Sequence, residues 1–228
     1  MVNVFEKFYE LFSERYSKQS VLTMGEDSVR YDFFRAIIEE MKIENWEINV
    51  EFPISENAFL SNLHENSKRK ESPVIDLFIN SSKEKSIYEF GFFRRNSEDK
   101  SNINVTEKTF KMFNDFLRLA LQKFYENKIE EAYFVCVADE KILGSKYNKI
   151  SEIGVFPSKE YLINIELLGH IKELYKSSKE ISDKFLKAFE AEKNINTIKA
   201  ELFFDKNLNA NNLGNLKAKI LIYKITIT

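Results

Sequence analysis

The first forty residues carry two apolar stripes at the spacing of an α-helix. The first stripe is Val4, Phe8, Leu11 and Phe12, and the second, after a break near Met24-Gly25, is Val29, Phe33, Ile37 and Met41. Residues three and four positions apart lie on one face of a helix. The pattern therefore predicts two amphipathic helices.

Strict alternation replaces helical spacing in EINVEF, residues 47–52. Its apolar residues Ile48, Val50 and Phe52 fall on one side, which predicts a half-buried strand. Two mostly apolar segments follow, VIDLFIN (74–80) and SIYEFGFF (86–93), and the polar loop between them predicts a β-hairpin. Because both faces of these segments are largely apolar, we expect two central strands that are covered on both sides.

The rest of the chain continues the mixture of helices and strands. A helical stripe at Phe110, Phe113, Leu117, Leu121 and Phe124 precedes EAYFVCVA (131–138), which has the pattern of a buried strand. Residues 158–192 look mostly helical, with Gly169 as a weak point or break. TIKAELFFD and LKAKILIYKIT then predict two strands around the Asn-rich loop NLNANNLGN, for which dimer contact and target recognition are both open.

These elements predict a mixed α/β fold in one domain, residues 1–228. The core, at about 25–138, has the order helix, three antiparallel-type strands, helix, strand, so that helices flank a mixed sheet. A C-terminal helical segment and β-hairpin at about 150–228 elaborate it. No Pro/Gly-rich linker divides the 228 residues, and a chain of this length can bury a substantial core.

Composition narrows the class of protein. Hydrophobic residues make up 43% and charged residues 31% of the chain, and no apolar run approaches the ~18 residues of a spanning helix, so no membrane partner is expected. The start of the chain does not resemble a secretion signal, and the single Cys136 allows no intrachain disulfide. A cytoplasmic location fits both observations. No phosphate-binding loop or dinucleotide motif indicates a nucleotide cofactor.

Each strand of the predicted hairpin carries one acid. If Asn80 faces Lys85, the numbers of paired residues sum to 165. Asp76 and Glu89 then become cross-strand neighbours, with their Cβ atoms about 5 Å apart. Two such carboxylates repel unless one is protonated or a cation lies between them, and Mg²⁺ is bound well by one or two carboxylates with waters and phosphate. A register slip of one residue, or an exposed edge position, is the alternative.

The hairpin resembles the PD-(D/E)XK restriction-endonuclease-like superfamily. The similarity rests on Pro73-Val74-Ile75-Asp76 and Glu89-Phe90-Gly91 within the element order above. Three further stretches are similar to restriction enzymes and related nucleases: GEDSVRYDFF, VEFPIS and TFKMFNDFLRLAL. Together they cover about residues 25 to 138.

The resemblance implies that Asp76 and Glu89 bind Mg²⁺ or Mn²⁺ and that Phe90 contributes its carbonyl. The lysine of the family motif, which positions water or stabilises developing charge, is replaced by Gly91. Three explanations stay open. In the first, a basic group reaches the same point from elsewhere, with Lys111 and Arg94 as candidates. In the second, the protein is a noncatalytic member, in which Gly91→Lys would create or raise cleavage; in the third, the similarity is false and Gly91 marks a bulge or a close approach.

Other charged residues are candidates for supporting roles. Glu26 and Glu51 are accessory acids by position, although a helix-dipole partner and a solvated strand face explain them as well. Four basic residues are candidates to bind phosphate: Lys68, Lys70, Arg95 and Arg118. Lys111, Asp115 and Arg118 lie opposite the Phe stripe. An ion-paired solvent face is the usual arrangement, whereas the resemblance implies that this helix packs beside the active site.

The function expected from the resemblance is Mg²⁺-dependent hydrolysis of DNA phosphodiester bonds. The alternative is a noncatalytic member of the same fold that binds DNA or a protein partner. The formal net charge of −2 gives no global attraction to phosphate and opposes a general nucleic-acid coat protein, yet it leaves room for a local basic rim. A homodimer is left open.

Overall fold

A computed structural model describes residues 2–58, 73–94, 105–144, 156–174, 187–192 and 194–228. The helices are α1 (Val2–Lys18), α2 (Glu26–Met41), α3 (Val105–Tyr125) and α4 (Ile165–Leu174), with a further helical turn at 187–191. The strands are β1 (Ile48–Pro53), β2 (Val74–Asn80), β3 (Lys85–Phe93), β4 (Glu131–Asp139), β5 (Glu160–Ile163), β6 (Ile198–Leu208) and β7 (Ala218–Ile227).

The strands form one seven-stranded mixed sheet in the order β1-β2-β3-β4-β7-β6-β5. Neighbouring strands are antiparallel except β3 and β4, which are parallel. Parallel neighbours need a long crossover, and here α3 lies between them in the chain. The mixed α/β class with helices flanking a mixed sheet is therefore confirmed, and the C-terminal hairpin belongs to the same sheet as the predicted core.

Helices cover both faces of this sheet, so that each face has its own apolar core. One core lies under α1 and α2 and includes Phe5, Phe8 and Phe33. The other lies under α3 and α4 and includes Phe116 and Phe134. Alternate residues of the central strands supply the two cores, as the period of two in a strand requires.

The predicted hairpin register is confirmed. Leu77 pairs with Tyr88 and Asn80 pairs with Lys85, so the paired residue numbers sum to 165 as expected. Both strands have a strand on each side, with β1 beyond β2 and β4 beyond β3. This interior position fits the apolar faces of the two strands, because apolar side chains on both faces of a strand need to be covered.

Three local expectations are wrong. Residues 160–163 form the edge strand β5 rather than part of a helix, and α4 runs through Gly169 without a break. Val50 is 57% exposed, so the apolar side of β1 is not buried along its whole length. At the next residue, Glu51, the backbone has a φ of 54°, which is the left-handed region and disturbs the regular alternation of this strand.

The Asn-rich loop between β6 and β7 has a structural role that the sequence left open. Asn215 is buried, its Nδ2 donates to the carbonyls of Tyr16 and Gln19 at 2.7 Å, and its Oδ1 accepts from the N–H of Val21 at 2.6 Å. The last carbonyls of a helix have no partner inside the helix. Asn215 therefore caps the end of α1 and fixes the chain that leaves it.

Replacing Asn215 by Ala should destabilise the protein because the carbonyl of Gln19 and the N–H of Val21 lose this side-chain partner, while the carbonyl of Tyr16 still accepts from Nδ2 of Asn211. We expect the free energy of unfolding to fall by about 1–3 kcal/mol, the scale for a buried group left unsatisfied. Urea denaturation followed by circular dichroism measures this change.

The matched control is Asn212→Ala in the same loop. Asn212 is exposed, so its replacement should change the free energy of unfolding by less than about 0.5 kcal/mol. Equal effects of the two substitutions would contradict the capping role of Asn215.

Candidate functional site

The candidate site lies where β2 and β3 separate. Backbone pairing between them ends at Leu77 and Tyr88, although β2 still pairs with β1 as far as Val74 and β3 still pairs with β4 as far as Phe93. Asp76 and Glu89 occupy the first positions beyond the last pair. The two acids therefore lie side by side at a split in the sheet, where side chains must satisfy backbone groups that a continuous ladder would pair.

Both oxygens of the Asp76 carboxylate are engaged. Oδ2 accepts from the backbone N–H of Phe90 at 2.9 Å, and Oδ1 accepts from Nη2 of Arg30 at 2.7 Å. Arg30 lies on α2, and its Nη1 is also 3.6 Å from the exposed Asp27. Asp76 thus bridges β3 and α2 at the split.

The Glu89 carboxylate is buried beside Arg118. Its side chain is 3% exposed, and Oε1 lies 3.0 Å from Nη2 of Arg118 on α3. The same Nη2 donates to the carbonyl of Val74, and Nη1 is 3.3 Å from Oδ1 of Asp115. Arg118 therefore connects β2, β3 and α3 around the split.

A lysine reaches the backbone between the two acids. Nζ of Lys111, on α3, lies 3.3 Å from the carbonyl oxygen of Phe90 and donates to Oε2 of Glu26, the first residue of α2. The ring of Phe90 points to the opposite side of the sheet, where it packs edge-on against Phe33 with centroids 5.4 Å apart. This packing fixes the carbonyl that Lys111 contacts.

These groups form one charged cluster between α2, α3 and the split in the sheet. Its acids are Glu26, Asp76, Glu89 and Asp115, and its bases are Arg30, Lys111 and Arg118.

Burial dominates the electrostatics of the charged cluster. It is the largest cause that raises the pKa of Glu89 well above its usual value; Arg118 opposes this, while Asp76 and Asp115 add to it. Burial likewise raises the pKa of Asp115 to about 7 against the lowering effect of Lys111 and Arg118. For Lys111, burial lowers the pKa, but Asp115 and Glu26 outweigh it, and the net shift is upward. Burial therefore favours the protonated forms of Glu89 and Asp115, and the neighbouring cations only partly offset it.

The packing over Gly91 leaves no room for a longer side chain at this position of the strand. A Cβ atom at Gly91 would lie 2.9 Å from Cζ of Phe134 and 3.1 Å from the ring of Phe93. Phe134 is itself held edge-on by Phe116 at 5.2 Å between centroids. The space that a lysine at position 91 would need is filled by aromatic rings, so Gly91 lies at a close approach of side chains to the backbone.

The structure brings some of the sequence-predicted residues together and leaves others apart. Asp76, Glu89, Phe90, Lys111, Glu26 and Arg118 meet in the charged cluster. Glu51 is exposed, and within the described ranges no ion pair or hydrogen bond joins it to the cluster. Arg94 lies with Cζ 6.0 Å from the ring centroid of Phe92, on the face opposite to Glu89. The phosphate-binding candidates Lys68, Lys70 and Arg95 lie outside the described residues.

The solvent-face interpretation of α3 is wrong. Asp115 is 1% exposed and Arg118 is 16% exposed, and the guanidinium of Arg118 has partners inside the protein rather than at the surface. The two helices bury charge here because the split in the sheet presents carboxylates and free backbone groups to them. A charged face at helical spacing has the same pattern in sequence whether it meets solvent or a polar interior.

Sequence reasoning missed two members of the charged cluster, Arg30 and Asp115. Arg30 lies one turn after Glu26 on α2, and Asp115 lies one turn after Lys111 on α3. The available signal was this repetition of an opposite-charge pair on both helices that flank the hairpin. The same repetition is also the pattern of surface ion pairs, so sequence alone does not separate the two arrangements.

The oxygens of Asp76, Glu89 and the Phe90 carbonyl form a donor set that suits a hard divalent cation. Glu89 Oε1 is buried and accepts no well-directed hydrogen bond from a described residue, despite its nearness to Arg118. Such an oxygen and the crowded Asp76 carboxylate fit a cation. Among the described residues, no group of three or more His, Cys, Asp or Glu side chains is arranged to bind a metal, so the protein would supply only two carboxylates.

Gly91→Ala tests the packing at the split. We expect overpacking to lower the free energy of unfolding by about 1–3 kcal/mol, and Gly91→Lys to lower it further without creating cleavage. Gly169→Ala is the control, because a Cβ there meets no atom within 4 Å and Ala favours a helix by about 0.5–1 kcal/mol. Urea denaturation distinguishes the opposite signs. A Gly91→Ala protein as stable as the wild type would refute the close packing.

Comparison of the chain with protein-family models, with curated proteins and with solved structures finds no match. Within the described ranges, none of the helices has the length and apolar character to span a membrane. The functional conclusion therefore depends on the geometry of the charged cluster.

Proposed function

We propose that this chain is a restriction-endonuclease-like protein that hydrolyses DNA phosphodiester bonds with Mg²⁺ or Mn²⁺. One observation carries the proposal: Lys111 Nζ lies 3.3 Å from the carbonyl of Phe90, the residue that follows Glu89. The PD-(D/E)XK pattern needs a basic nitrogen near this backbone position, and Gly91 cannot supply one. A lysine on α3 supplies it instead.

Asp76, Glu89 and the Phe90 carbonyl would hold the divalent cation. When bound, the cation supplies a Lewis acid that stabilises charge on the phosphate and lowers the pKa of water. Two carboxylates with waters and substrate phosphate are a usual Mg²⁺ environment. Burial and the neighbouring acids raise the pKa of Glu89, and a cation bound between the acids would favour its ionised form.

The surrounding residues orient the two carboxylates. Arg30 and the N–H of Phe90 fix the two oxygens of Asp76, and Arg118 lies against one oxygen of Glu89. Fixed side chains lose little freedom when they bind a ligand, which is the advantage of a site formed on strands and helices. Arg118 therefore orients a carboxylate rather than contacting the phosphate directly.

Lys111 is the candidate catalytic residue for charge stabilisation. Its side chain is 39% exposed, so the residue lies within reach of a substrate in solvent, and its raised pKa keeps it protonated at neutral pH. A preorganised positive charge beside the scissile phosphate stabilises the additional negative charge of the transition state. Water attacks phosphorus, the P–O bond to the leaving nucleotide breaks, and the leaving oxygen takes a proton.

A second candidate function is favoured by a different feature of the same cluster. Asp76, Glu89 and the Phe90 carbonyl each already contact a cationic side chain, namely Arg30, Arg118 and Lys111. A cluster neutralised by its own cations has less need of a metal ion. The alternative is a noncatalytic member of this fold that binds DNA or a protein partner.

Cleavage assays with variants test the proposal. Plasmid DNA, single-stranded DNA and RNA are incubated with the purified full chain and Mg²⁺ or Mn²⁺. Asp76→Asn should abolish cleavage because it removes a metal-binding charge, and Lys111→Met should slow the reaction by about 10²–10³-fold, the usual loss for one electrostatic group. Asp205→Asn and Lys128→Met are the matched controls. Like Asp76, Asp205 is a strand acid with a basic partner, which here is Lys219. The side chain of Lys128 is 70% exposed.

Calorimetry with Mn²⁺ separates the two functions. The nuclease requires a binding event that Asp76→Asn removes and Asp205→Asn keeps. Equal inactivity of the wild type and Asp76→Asn on every substrate, together with no Mn²⁺ binding, would end the catalytic proposal. Salt-dependent affinity for DNA in that protein would then support the noncatalytic alternative.

A further inference from the structure

Glu26 links the two helices that lie on opposite faces of the sheet. It is the first residue of α2, which covers one core, and its carboxylate contacts Lys111 of α3, which covers the other. Glu26 is 32% exposed and Lys111 is 39% exposed, so both side chains lie at the mouth of the charged cluster. The contact spans the end of the sheet beyond the point where β2 and β3 separate.

The Lys111 ammonium donates to the carboxylate of Glu26, and the buried Asp115 one turn later on α3 also attracts it electrostatically. A lysine carries its charge on a long flexible stem and can place it in many ways. The ammonium has two described polar contacts, the carboxylate of Glu26 and the carbonyl of Phe90 at 3.3 Å. A neutral carbonyl holds a lysine more weakly than a carboxylate does, because a hydrogen bond between two charged groups is roughly twice as strong as a neutral one.

The contact also bears on the role of Glu26 as an accessory acid. Oε2 of Glu26 accepts from Lys111, and the described carboxylates do not assemble into a group of three around one point. We propose that Glu26 is a positioning residue, whose carboxylate holds the Lys111 ammonium beside the Phe90 carbonyl. It acts on the reaction through Lys111, and not on a metal ion or on water. This inference rests on the proposed nuclease function.

A double-mutant cycle in the cleavage assay tests the inference. Glu26→Gln should lower kcat by about 10–100-fold, the scale expected for a misplaced group, with KM and the Mn²⁺ dissociation constant unchanged. In a Lys111→Met background, Glu26→Gln should cause no further loss, because the residue through which it acts is gone. Glu26→Asp, which keeps the charge, should recover part of the rate.

The matched control is Glu40→Gln. It makes the same change on the same helix, at an exposed position about 20 Å away at 1.5 Å per residue. Losses that multiply in the double variant, or weaker Mn²⁺ binding by Glu26→Gln, would overturn the inference, since either result requires Glu26 to act independently of Lys111.

Chemical labelling makes the test independent of cleavage. Reductive methylation with formaldehyde, read by mass spectrometry of peptides, should modify Lys111 several-fold faster in Glu26→Gln than in the wild type or Glu40→Gln. The exposed Lys128 serves as an internal standard. Unchanged labelling of Lys111 would overturn the inference. Faster labelling in a protein that cleaves no substrate would instead retain the contact and reject the nuclease function, so the two failures are distinguishable.

Discussion

The premature end of the backbone ladder between β2 and β3 is the constraint on which the rest of the site depends. Past Leu77 and Tyr88, backbone groups that face the gap need side-chain partners. The Asp76 carboxylate accepts a hydrogen bond from the N–H of Phe90, and Arg118 donates one to the carbonyl of Val74. These two contacts place one acid and one base in the opening, and other charged groups follow because a buried charge is stable only when it is paired.

The balance of charge around the opening is close but incomplete. Among the described residues, four acids meet three cationic side chains, and burial, with a smaller contribution from neighbouring acids, raises the pKa of Glu89 and Asp115. Replacing such a network by apolar residues would often stabilise a protein, so its presence is not explained by stability alone. Perturbed acids grouped at one opening are typical of sites that bind a charged ligand.

Periodicity predicted much of the fold, and its failures have physical causes. The hairpin register followed from one assumed pair, because a period of two and a short loop leave few alternatives. β5 was missed because four residues beside a helical pattern carry too little periodic signal. Within the candidate site, Asp76 and Glu89 were found as acids within apolar strands, whereas Arg30 and Asp115 on helices could not be distinguished from surface ion pairs. The lack of room for a lysine at position 91 depends on the packing around Gly91 in the folded sheet, which no local pattern encodes.

The order of the strands also affects how this chain can be assembled. β7 follows β6 in the chain but lies between β4 and β6, so a strand that is synthesised after both of its neighbours occupies an interior position in the sheet. Asn215 of the preceding loop completes the end of α1 across a separation of 199 residues. Long-range pairing of this kind slows folding and exposes strand edges until it is complete. During synthesis, β4 therefore keeps an open edge until β7 is available to pair with it, and this edge is exposed to wrong pairing in the meantime.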